Sequence, residues 1–107
     1  MKPLNTMKYV ASMTEEIASY KAAIKAAETY EAAKGVARQM LGYIDCAITF
    51  LNTMICMENN DFTVEFDEVI EGWQVAMYQL LIDKAVETKQ SHEMIWKLCQ
   101  KRDECAA

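Results

Sequence analysis

The longest apolar run of the chain, MLGYIDCAITFLNTMICM at residues 40 to 57, keeps its polar residues to one side. At 100° per residue, Arg38, Gly42, Asp45, Thr49, Asn52 and Thr53 fall within one arc of about 100°. The remaining positions, from Met40, Leu41 and Tyr43 through Ile44, Ala47, Ile48, Phe50 and Leu51 to Met54, Ile55 and Met57, form an apolar face wider than the stripe of a surface helix. This pattern predicts a central hydrophobic helix at about residues 36–57, enclosed by other helices and wetted along one narrow edge. A membrane span is the competing reading, since eighteen residues reach about 27 Å. Asp45 near the middle would cost about 2.5–3.5 kcal/mol there, Asn52 adds to the penalty, and no basic cluster flanks the run to orient it.

Residues 4 to 34 form the first candidate helix, with Val10, Met13, Ile17, Tyr20, Ile24 and Ala27 spaced by threes and fours. Ser12 and Glu15 match a capping box, and Thr14-Glu15-Glu16 puts negative charge in a first turn. A helix start or break is therefore expected there, with a short separate segment at residues 4 to 11. Ala18, Ala22 and Ala26 on the reverse side read as helix filler more readily than as a seat for a second backbone. Lys34-Gly35 resembles a helix C-terminus, a cation followed by glycine. No Ser, Thr, Asp or Asn follows to cap a new helix, so a tight hook and a kink at Gly35 both stay open, and Gly42 is expected at a close contact.

ENNDFT, residues 58 to 63, is the clearest turn, and the alternating FTVEF beyond it is too short to set a strand. From Phe66 onward Val69, Ile70, Trp73, Met77, Leu80 and Leu81 share a helical face, with Glu65, Asp67 and Glu68 suited to the N-terminus. A second apolar line, Val75, Tyr78, Ile82 and Val86, is turned well over 100° from the first. The last helix follows TKQ, with Ser91 as N-cap and Met94, Ile95, Leu98 and Cys99 buried, while Trp96 lies to one side. The expected fold is all-α: one domain over residues 1–107, a compact bundle of three to four helices around the central one. Three neighbours would enclose the central helix yet leave the second line of the 66 to 88 helix facing water. A second copy or another protein is expected to cover it, so the chain is read as oligomeric.

Composition sharpens this picture. A chain of 107 residues supports one core, and 52% hydrophobic residues with three glycines and one proline describe a few long helices. The net charge of -5 is uneven: residues 39 to 83 hold eight acids and neither lysine nor arginine. Four cysteines, Cys46, Cys56, Cys99 and Cys105, follow no CxxC spacing, and no signal peptide opens the sequence. A cytoplasmic protein with free thiols is expected, with Cys105 the place for an intermolecular bridge under oxidation.

Catalytic chemistry finds little to use. The single histidine, His92, follows a probable N-cap, and Cys99 lies two turns away, about 10 Å along the axis, too far for a dyad. No Glu-x-x-His pair exists for a di-metal bundle, and Glu65, Glu68 and Glu71 read as a solvated helix start. The acidic turn lacks the central glycine of a calcium loop. Neither a basic face nor a phosphate loop is present, and KLCQKR near the end is weak positive charge beside acids. Asp45 reads as part of the wet edge, facing water or a lysine such as Lys21 or Lys25. No catalytic residue, metal or cofactor, no direct nucleic-acid contact and no membrane are therefore expected.

One constellation remains. Asp67, Glu68 and Glu71 lie on the same side of their helix as Val75, Tyr78 and Ile82, so acid leads into an aromatic and aliphatic strip. A tyrosine anchor with a charged rim suits a protein interface, and the charge would speed encounter with a basic partner. The same strip would equally close the chain's own core or a homodimer. The expected function is a non-enzymatic interaction protein that occludes its partner. By analogy of size and charge alone, an inhibitor of a restriction or CRISPR nuclease fits. The alternatives are a helical bundle that binds a small apolar ligand among methionine and aromatic side chains around the 40 to 57 helix, and a purely structural homodimer.

Overall fold

Thr29 decides where the first two helices part. Its Oγ1 accepts a hydrogen bond from the Ala32 amide at 3.1 Å, an N-cap, and Glu31 places negative charge in the turn that follows. A computed structural model of the chain describes the backbone of residues 2–58 and 63–106 and the side chains of residues 8–53 and 66–106. Its helices are α1 (Lys2–Ala26), α2 (Tyr30–Glu58), α3 (Thr63–Glu87) and α4 (His92–Ala106). The all-α expectation holds. Most of the expected ENNDFT turn lies outside the described residues.

Three local expectations are overturned by these boundaries. The first helix ends at Ala26 instead of running to residue 34, and Gly35 lies inside an unbroken α2. α1 is also continuous past residue 14, because the Thr14 hydroxyl turns back to the Val10 carbonyl at 2.8 Å and caps nothing. Gly42 sits at no close contact: a Cβ there would meet no atom within 4 Å.

Neither glycine nor proline ends α1. Its C-terminus is instead met by a cation from α3, Lys84, whose residue surface is only 7% exposed. The Lys84 ammonium donates to the carbonyls of Lys25 at 3.1 Å and Ala27 at 2.7 Å, and to Glu87 Oε2 at 2.8 Å. An ammonium has three donors, so each finds an acceptor, and the positive charge stands at the negative end of the α1 dipole.

The α3–α4 turn closes by its backbone. Gln90 N donates to Ala85 O at 2.9 Å and Lys89 N to Val86 O at 3.1 Å, the paired bonds of a Schellman motif. Lys89 takes the left-handed position, with φ of 59°, where glycine is the usual residue. Ser91 then caps α4 as expected, accepting from the Met94 amide at 3.2 Å.

The core follows the periodicity. Ile17 and Ile24 of α1, Met40, Ile44 and Leu51 of α2, and Phe66, Trp73 and Met77 of α3 are buried together. All six polar-edge residues of α2 are exposed, Asp45 among them, and so are Ala18, Ala22 and Ala26. Phe50 departs from its apolar face by being exposed, edge-on to Tyr9 with ring centroids 5.1 Å apart.

Helices α1, α2 and α3 pack on one another, whereas α4 packs on α3 alone. The central helix thus has two neighbours among the described residues, not the expected three. α4 packs on the second line of α3 and leaves its last member, Val86, exposed. Ile82 is buried, Val75 and Tyr78 are half-buried, and Arg102 Nη1 donates to Gln79 Oε1 across the pair at 2.8 Å. Among the described residues no helix is long and apolar enough to cross a membrane.

Two stability changes are expected. Lys84→Met keeps the bulk of the side chain but strands the α1 carbonyls, and costs about 1–3 kcal/mol, read as a lower urea midpoint at unchanged m. Lys89→Gly relieves the left-handed backbone and stabilises by about 0.5–1 kcal/mol, a melting-temperature rise of roughly 2–8 °C.

Candidate functional site

Because α4 leans on α3 without reaching α2, α3 carries a helix on each flank and a trough opens between them. Its volume is about 540 Å³. Met77, Tyr78 and Leu81 of α3 make the floor, Tyr30, Ala37 and Leu41 line the α2 wall, and Met94 and Leu98 line the α4 wall. Tyr30, Ala37, Met77 and Leu81 are themselves buried in the core, so the apolar surface that the trough presents comes from the half-buried Leu41, Tyr78, Met94 and Leu98.

The lips are of opposite character to the floor. Lys34 and Arg38 stand one helical turn apart on α2, and Lys97 and Lys101 repeat that spacing on α4. Four residues of helix rise about 6 Å, so each pair forms a short ladder along its lip. Successive helices joined by short connections run antiparallel, so α2 and α4 run in the same direction and their ladders ascend together. Glu93 is the single carboxylate residue of the lining, and Lys97 Nζ pairs with it at 3.3 Å. Lys34, Arg38 and Lys101 have no carboxylate within 4.0 Å among the described residues.

Two phenols in the lining stay protonated well past neutrality. Burial raises the pKa of Tyr30, with Glu31 adding to it, and burial raises that of Tyr78, with Cys105 and Glu104 adding to it. The trough thus offers hydrocarbon, neutral hydroxyls and positive lips. Among the described residues no group of three His, Cys, Asp or Glu is placed to hold a metal ion.

The site expected from the sequence is divided by this arrangement. Asp67, Glu68 and Glu71 are exposed, Val75 and Tyr78 are half-buried, and Ile82 is buried within the chain's own fold. α4 lies against the strip at Tyr78: burial pushes the pKa of the Cys105 thiol up, then Glu104, with Lys101 opposing and Glu71 adding, and Cys105 in turn adds to the rise at Tyr78. The acids therefore lack the continuous apolar anchor expected beside them. Of the central helix's apolar run, Leu41 alone lines the trough, while a shallow depression at Asp45, Cys46, Thr49, Phe50 and Thr53 follows its wet edge.

Reading the sequence missed Lys34, Arg38, Lys97 and Lys101 as a set. Each pair was visible as two cations four apart, but only the packing of α2 and α4 against one floor sets the pairs on facing lips. No family model, no curated protein and no solved structure was found to match this chain.

Proposed function

We propose that this chain is a non-enzymatic protein–protein interaction module that seats a helix of a partner protein in the trough between α2 and α4, and acts by covering it. The observation that carries the reading is that, among the described residues, the two helices flanking α3 bring no pair of Cα atoms within 8 Å of each other. Such a space is the vacant position of a bundle, and an amphipathic helix laid into an apolar groove is a recurring recognition mode. From Ser91 to Lys101 the α4 wall rises about 15 Å, enough for roughly three turns with apolar anchors at i, i+3 or i+4, and i+7. The docking face is accordingly the trough, through its half-buried Leu41, Tyr78, Met94 and Leu98, and not the acidic strip, whose Ile82 is buried. Asp67, Glu68 and Glu71 remain exposed and would shape encounter at long range without anchoring a complex.

A small apolar ligand is a second reading, favoured by a volume within the about 300–1,000 Å³ of ligand pockets. The trough is partly open to solvent, which suits a helix better than a molecule that needs most of its surface enclosed. A fluorescent amphipathic peptide with leucine anchors and uncharged flanks separates the two. It is expected to bind at micromolar concentration and to lose at least ten-fold in affinity with Leu98→Asp, whereas Trp96→Asp, on an exposed side of α4, leaves binding unchanged. Saturable 1:1 binding of lauric acid that Leu98→Asp abolishes, with no peptide bound, would overturn the proposal in favour of the ligand.

A further inference from the structure

Resting on the reading of the trough as a helix seat, we infer that its occupant is an acidic amphipathic helix, one that flanks its apolar stripe with carboxylates on both sides at i, i+4 spacing. The argument is charge complementarity. The chain has a net charge of -5, yet its lips concentrate Lys34, Arg38, Lys97 and Lys101 around an apolar floor. Three of these cations have no carboxylate within 4.0 Å among the described residues. An anionic headgroup on a single acyl chain would satisfy one cation cluster at one end of the trough. Two ladders, one on each lip and each repeating every helical turn, match a ligand that carries its own charge on both flanks at the same pitch. Helix flanks do this, as paired charges beside the apolar seam of a coiled coil do.

The arrangement also orders the four cations. Lys97 is already engaged by Glu93 at 3.3 Å, so an incoming carboxylate must compete for it. Lys34, Arg38 and Lys101 offer their charge without that competition, and Arg38 adds a planar fork suited to gripping a carboxylate with two bonds. Removing the competitor by Glu93→Gln is expected to tighten binding of an acidic helix about two-fold to five-fold.

The test uses three peptides with one leucine stripe and flank positions that are all Glu, all Gln or all Lys, measured by fluorescence anisotropy on the full chain. The Glu peptide is expected to bind roughly ten-fold tighter than the Gln peptide at low salt, with the advantage shrinking toward none at about 0.5 M salt, and the Lys peptide to bind weakest. Reversing the lips by Lys34→Glu, Arg38→Glu and Lys101→Glu is expected to invert the order, with circular dichroism and thermal unfolding showing that the variant folds. If that variant does not fold, the salt dependence on the unaltered chain decides. Equal affinities for the Glu and Gln peptides at low salt would overturn the inference about charge and leave the helix seat standing. Failure of all three peptides to bind would overturn both.

Discussion

The Lys84 ammonium holds together more of this fold than any other polar group. Its three bonds stop α1, fix the turn into α2 and tie both to α3, while its own carbonyl receives the Thr88 amide at 2.9 Å and the Thr88 hydroxyl at 2.8 Å where the chain turns toward α4. One residue therefore stands at the junction of all the helices. Burying a lysine is costly unless every donor is met, and here two donors meet carbonyls at the end of α1, groups the fold needs satisfied in any case, while the third meets the Glu87 carboxylate. The start of α2 is set at Thr29, next to that junction, and its phase places Lys34, Arg38 and Leu41 on the trough instead of in the core.

What periodicity can report was legible, and what a distant residue decides was not. The seam of α1, the wet edge of α2, the first face of α3 and the Ser91 cap all follow from spacing, because each depends on residues within a turn or two of one another. The end of α1 depends on a side chain nearly sixty residues away, so it left no local mark, and Gly35 offered a false one. A mid-helix glycine costs under about 1 kcal/mol, which a well-buried 29-residue helix absorbs. Thr29 is a usable local signal, and it stands before Gly35 instead of after it.

The misplacement of α4 has a different cause. Sequence shows how much apolar helix surface must be covered, not which helix covers which. With α4 expected around the central helix, the uncovered surface falls on Val75, Tyr78 and Ile82; with α4 on α3, it moves to the space between α2 and α4. Partly uncovered apolar side chains remain there, Leu41, Tyr78, Met94 and Leu98. The chemistry changes with the address, because the lips of the actual trough are cationic whereas the rim expected from α3 was acidic.

That cationic rim also bears on whether a second copy would fill the trough. An uncharged apolar trough invites a second copy to dock face to face, since two such surfaces bury each other's hydrocarbon without any complementarity being required. Here a groove-to-groove pair would set Lys34 and Arg38 against the cations of the other copy, in the low-dielectric setting where like charges repel most. The same charges that would draw an acid-flanked helix thus penalise self-association through this face. A preformed seat of this kind has little ordering of its own to undergo on binding, so any cost of ordering falls on the partner segment. On the proposed reading, selectivity would come from which helices carry carboxylates at the pitch of the lips, while the apolar lining would supply affinity to all of them alike.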